Sequence, residues 1–383
     1  MSSRLTLAPS KHPSVPESTV RLRVDVDEST CATSPDIDRK LAGYKLSGFN
    51  VPISRIVAYA GIHYDGEAQD YWDIGQARAQ IQSAWQDICN WEPRRELDSN
   101  GIGRLAFSQC VNSRRQANFS EVIAVGAGLA VGAIFYDLPY RFWRPTPGLS
   151  PYDFRAPGPN GSEIQLEVRG RFDGQGIAQA KQQVRAKFGA SANLAHQLGV
   201  IFTPHTEVDS TAVDVILVDP ESDGAVDMAS HRELRALLHH YAPFFARQNF
   251  GDFAKRLTEL AEATDPEFAV YLAQGDTTLR NASVKRTTFR FDAAEFVGTA
   301  FDGIAWPRAL APVSTDIDFS TGAFYWGVWI AIVDALRNGH LRDLADMKVT
   351  AGTFVQGRCV YILLDDGTAL AWAPTREELF NMP

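Results

Sequence analysis

The sequence predicts a mixed α/β protein, and three observations carry that expectation. Residues 162–171, SEIQLEVRGR, alternate polar and apolar, as a strand with one buried face does. Residues 177–188 keep helical spacing and stop at Gly189. Residues 198–204 and 213–220, LGVIFTP and VDVILVDP, are apolar runs of strand length. With the segments around them they give the order helix, three strands, helix, two strands. An α/β region precedes this core, and a helical region with a small terminal β-meander follows it.

The 383 residues suffice for two or three domains. The expected division is a flexible tail over 1–19, an N-terminal α/β region over 20–115, a core over 116–222 and a C-terminal region over 223–383. A net charge of −9 argues against a surface that coats nucleic acid as a whole, and leaves room for a local basic groove. Cys31, Cys89, Cys110 and Cys359 have neither metal-ligand spacing nor a disulfide pattern. Reduced thiols in the cytoplasm are the simple expectation. The first residues hold no continuous apolar stretch of the kind a secretory signal needs.

Along the chain, residues 20–26 and 53–62 read as strands. Residues 73–91 have helical spacing, with Ile74, Ala77, Ile81, Trp85 and Ile88 on one face, and 112–116 reads as a link. Residues 118–138 predict a helix ended by Pro139, with Asn118 as N-cap and Glu121 completing a capping box. Inside it, VIAVGAGLAVGAIF (122–135) begins like a dinucleotide-binding turn. That fold needs a second strand ending in an acid, and YRFWRPTPG has none. The glycines at 126, 128 and 132 are expected instead to let another element approach the helix closely. The apolar run is too short for a membrane span, so no membrane is expected as a partner.

Residues 141–145 and 152–156 read as strands, and PGPNG (157–161) as the turn into 162–171. Helices are expected over 230–248 and 252–263, a strand over 287–292, and an apolar helix over 324–339 capped by Gly339. The meander covers 348–374, with a turn at Asp365-Asp366-Gly367. His239 and His240 point about 100° apart on a helix, which forbids chelation and suits one core or interface histidine.

The hairpin carries the chemistry. Its apolar faces match only if opposed residue numbers sum to an even value, and a turn centred on Asn160 gives 320. Tyr152 then opposes Val168, Phe154 opposes Leu166, and Asp153 opposes Glu167. Directly opposed β-carbons lie about 4.5–5.5 Å apart, a spacing at which two carboxylates repel or share a cation. The alternative is that Arg155, Arg169 and Arg171 neutralise the pair as an ordinary polar sheet face.

Helix, strand, hairpin with Asp153, then Glu167-Val168-Arg169, then helix and strand, resembles the PD-(D/E)XK, restriction-endonuclease-like, nuclease superfamily over residues 118–220. The resemblance implies a metal-dependent phosphodiesterase acting on DNA, with Asp153, Glu167 and Glu121 at Mg²⁺ or Mn²⁺. Arg169 stands where the family has Lys, and Lys181 on the following helix is the candidate replacement. Between 141 and 190, eight basic residues face four acidic ones, and Arg141, Arg144, Arg155, Arg171 and Arg185 are candidates for contacting nucleic acid. The other readings are an inactive nuclease fold that binds nucleic acid or protein, and, more remotely, a nucleotide-dependent oxidoreductase. The terminal regions are candidates for contacts with a second copy or a protein partner.

Overall fold

The computed structural model describes residues 5–9, 14–15, 18–27, 35–63, 88, 93–107, 113–146, 153–158, 162–190, 196–208, 211–220, 230–284, 287–306, 310 and 318–381. For 14, 15, 113–115, 153, 189 and 190 it describes the backbone alone. It is a mixed α/β molecule built on a six-stranded and a seven-stranded sheet.

The six-stranded sheet contains β1 (Val24–Asp27), β2 (Arg144–Pro145), β3 (Asp153–Pro157), β4 (Glu163–Gly170), β5 (His196–Phe202) and β6 (Val215–Val218). Their order across it is β1-β6-β5-β4-β3-β2. β2, β3 and β4 form an antiparallel meander. The helix Ile177–Ala190 then crosses to β5, which runs parallel to β4, as a connection of that length allows. The edge strand β1 comes from the N-terminal region, so that region and the core share one sheet.

The chain over 19–27 is two strands rather than one. Thr19–Leu22 pairs with Phe49–Pro52, and β1 pairs with β6. The break is at Arg23, whose N–H donates to Asp214 Oδ2 (2.7 Å) and whose carbonyl accepts from Asp214 and Val215. Asp214 Oδ2 also accepts from Nη2 and Nε of buried Arg104 (2.7 and 3.0 Å).

Four helices position the candidate site: α1 (Pro35–Ser47), α2 (Ile53–Ile62), α3 (Ser113–Tyr136) and α4 (Ile177–Ala190). Residues 53–62 are helical where a strand was expected. Eight of the ten are buried, Ser54 among them, so no polar face betrays the period, and a short, mostly apolar run fits either element. α3 is a continuous helix through 122–135, which excludes the strand and glycine turn of a dinucleotide fold there. By length and composition Gln116–Tyr136 could cross a membrane, but 83% of its most apolar window is buried inside the protein. It lies between α2 and β4. A β-carbon on Gly126 would stand 1.8 Å from the Ile56 carbonyl oxygen, and one on Gly170 of β4 would stand 1.9 Å from that of Ser120. The helix starts at Ser113, ahead of Asn118, so Asn118 is no N-cap and the expected capping box is absent. Residues 113–116, expected as a link, are its first turn.

After β6 come α5 (His231–Arg247), α6 (Gly251–Glu262) and Asp265–Gln274. The seven-stranded sheet is antiparallel, in the order Thr287–Phe291, Ala294–Ile304, Gly322–Trp329, Thr368–Ala373, Cys359–Leu363, Gly352–Gln356, Ser14–Val15. Residues 324–339, expected as one helix, are strand to Trp329 and helix over Ile330–Asn338. The tail over 1–19 is partly built into this region, with Ser14–Val15 on the sheet edge and Thr6–Leu7 paired with Lys348–Val349. Edge strands leave backbone groups open, and these segments fill some of them. The helix expected over 73–91 lies outside the described residues, except for Ile88.

Candidate functional site

The register of the hairpin is the one its alternation requires. Glu167 opposes Asp153, Leu166 opposes Phe154 and Gln165 opposes Arg155. The expected facing of Tyr152 with Val168 lies outside the described residues. Ile164, Leu166, Val168 and Gly170 turn to α3, and Gln165, Glu167 and Arg169 to the opposite face. One row then crosses five strands: Asp153, Glu167, Gly199, Val218, Asp27.

α4 lies over this row. Its stripe of Ala180, Val184 and Phe188 packs on Ile201, Ile216 and Val218. Gly199 admits it, since a β-carbon there would stand 2.5 Å from Val184 Cγ1. At about 100° per residue, Lys181 and Lys187 sit about 60° to either side of Val184. Lys187 leans towards β4, where its Nζ lies 2.9 and 3.0 Å from the two oxygens of Glu167. Lys181 leans the other way, to Asp27 at 3.7 Å, and Arg185 pairs with the same carboxylate. Lys181 therefore reaches the Asp27 edge of the row, about three strand spacings, or 14 Å, across the sheet from Glu167. Of the two lysines, Lys187 is the one that meets Glu167. Its sign in the sequence was its place on the other flank of the stripe.

Glu167 is fully buried and also pairs with Arg169. Glu121 stands apart from this face. It projects from α3, accepts from the Gly170 N–H (2.9 Å) and pairs with Arg171 (2.7 Å). It fastens the helix to the end of β4 and does not join Glu167. Among the described residues no three His, Cys, Asp or Glu side chains gather as a metal cluster.

The five arginines proposed for nucleic acid divide. Arg141 is buried and donates to the carbonyls of Ala345 (2.7 Å), Met347 and Asp365, which binds the core to the C-terminal sheet. Arg185 and Arg171 are engaged with Asp27 and Glu121. Arg144 and Arg155 converge on Glu163, at 2.7 and 3.4 Å, and Arg232 of α5 approaches it to 3.6 Å. Beside them opens a cleft of about 190 Å³ lined by Arg144, Glu163, Arg232, His239 and Arg235.

The two histidines of α5 part as their angle demands. His240 bonds Asp366 Oδ2 (3.0 Å) through Nε2 and faces the Trp143 carbonyl (2.9 Å) through Nδ1. It is the interface histidine, joined to the Asp365-Asp366-Gly367 turn. His239 turns to the cleft, where burial and then Arg144 lower its pKa from 6.5 to about 4. His63, buried against Tyr140, is held well below its ordinary value by burial, Arg247 and His240. Both take protons near pH 6.5 when unfolded and resist them when folded. Stability is therefore full above pH 6.5 and falls as the pH drops towards 4, by at most about 3 kcal/mol for His239. Urea midpoints at pH 7 and 4.5 check this, and His239→Gln is expected to flatten the difference.

The chain matches no family model, no curated protein and no solved structure.

Proposed function

We propose that the six-stranded sheet with α3 and α4 is a restriction-endonuclease-like core that hydrolyses phosphodiester bonds in DNA with a divalent ion. The observation that carries the reading is the meeting of Lys187 with Glu167, directly across the ladder from Asp153. Acid, acid and lysine then share one face, and the element order helix, three strands, helix, strand agrees with the resemblance. Lys187 takes the part left open by Arg169, which stays protonated and cannot exchange a proton.

Two carboxylates on adjacent strands are hard oxygen donors of the type Mg²⁺ or Mn²⁺ accepts, with water completing the shell. Asp153 and Glu167 would hold the ion, which when bound polarises a phosphate oxygen and acidifies a bound water. Glu167 offers an oxygen once Lys187 swings off it, and the released ammonium is then free to meet negative charge developing on phosphate. Glu121 fits the metal poorly, because it is engaged on the α3 side of the sheet.

Wild-type protein is expected to cleave DNA only with Mg²⁺ or Mn²⁺. Asp153→Ala should slow cleavage at least about a hundredfold, and Lys187→Met should do so without loss of ion uptake by titration calorimetry. A wild type that takes up neither ion, with Asp153→Ala silent in every cleavage assay, sinks the reading. The second reading, an inactive fold that binds nucleic acid, is favoured by the burial of Glu167 with cations on both of its oxygens. It requires DNA binding that is the same with and without the ion.

A further inference from the structure

The cleft beside Glu163 has a charge imbalance that the sheet chemistry does not use. Arg144, Arg155 and Arg232 all lie within 4 Å of one carboxylate, with distances of 2.7, 3.4 and 3.6 Å. Arg155 keeps a buried Nε with no hydrogen-bond partner. Three guanidiniums around one carboxylate leave two positive charges beside a cavity of about 190 Å³ that Arg144, Arg232 and Glu163 line, with Arg155 behind Glu163. Arg235 is not part of this excess. It donates to the carbonyls of Ala261 and Ala263 (2.8 and 2.7 Å), pairs with Asp265 and lies over the Phe268 ring, so it forms a fixed wall. His239, neutral down to about pH 4, adds a hydrogen-bonding group without charge.

We propose that this cleft binds a phosphate monoester. Two surplus charges match a group of about −1.5 to −2 near neutral pH, whereas a carboxylate or a phosphodiester brings about one. Guanidinium groups suit its oxygens, since each presents paired N–H donors. Glu163 lies four residues from Glu167 on the same strand, about 13 Å away, so the cleft lined by Glu163 is distinct from the Asp153–Glu167 pair, and Arg155, two residues from Asp153, stands between them. The monoester is the end of a nucleic-acid strand or a free mononucleotide, and binding does not depend on whether the sheet hydrolyses DNA.

The test uses the full chain in EDTA, which silences any metal-dependent cleavage. Calorimetry or anisotropy compares inorganic phosphate, a nucleoside monophosphate, its nucleoside, and oligonucleotides with and without a terminal phosphate. Each phosphorylated probe is expected to bind about tenfold or more tightly than its dephosphorylated partner. Arg232→Ala should abolish that difference, while Lys255→Ala, on an exposed helix face elsewhere, should keep it. Affinity should fall below pH 6, as the monoester dianion takes up a proton and its charge drops towards −1. Preference confined to the mononucleotide assigns the cleft to small molecules and overturns the strand end as the source. Equal binding with and without phosphate overturns the proposal. Asp153→Ala is expected to keep phosphate binding, so failure of hydrolysis and failure of this site are read separately.

Discussion

Gly170→Ala is expected to cost at least about 3 kcal/mol, at the upper end of overpacking penalties. It would appear as a lower urea midpoint with an unchanged slope. A β-carbon at 170 would meet the Ser120 carbonyl oxygen at 1.9 Å and its carbon at 2.1 Å. These are backbone atoms of α3, so no rotamer change relieves the clash. The helix cannot retreat either, because on its far side Gly126 already rests on the Ile56 carbonyl, where a β-carbon would stand at 1.8 Å. Moving α3 away from β4 drives it into α2. Gly126→Ala is expected to be as damaging for the same reason. Gly43→Ala is the control, since it adds a methyl within α1 where nothing lies within 4 Å. It should stabilise by about 0.5–1 kcal/mol.

Glu167→Gln is expected to lose about 3–5 kcal/mol, the usual result of removing one member of a buried ion pair. The amide would leave Lys187 and Arg169 against a fully buried group with no charge to offset theirs. Lys187→Met in the same chain should recover a large part of the loss, because one of the two cations facing Glu167 leaves with its counter-charge. A double-mutant cycle on urea midpoints measures the coupling, and values near zero would show that the contact is idle. Loss of activity in Glu167→Gln alone therefore mixes stability with chemistry. Asp153→Ala, at the first residue of β3, is the cleaner probe of cleavage.

The hairpin was legible because alternation has a period of two and one face is buried, which fixes the register without any knowledge of the partner strands. The pairing of Asp153 with Glu167 followed from that parity together with a turn centred on Asn160. Residues 53–62 and 324–329 were not legible, since elements buried on every side carry no polar face to mark their period. The sequence does not separate Lys187 from Lys181, because angle from the apolar stripe says that a side chain reaches sideways, and not which neighbour waits there. That depended on β1, an edge strand from more than a hundred residues upstream, which brings Asp27 to one flank of α4. The contacts of Arg104 with Asp214 and of His240 with Asp366 are of the same kind, each joining residues more than a hundred positions apart.

The burial of α3 has a consequence during biosynthesis. Residues 116–136, an apolar stretch of membrane-spanning length, are synthesised before the strand that covers them, 163–170. For that interval the nascent chain resembles a membrane protein to any factor that samples it. Chains stopped before residue 163 are expected to pellet with membranes or aggregates, and chains carried past 218 to remain in the supernatant. Burial under strands made later in the chain, and not its own composition, is what encloses this helix.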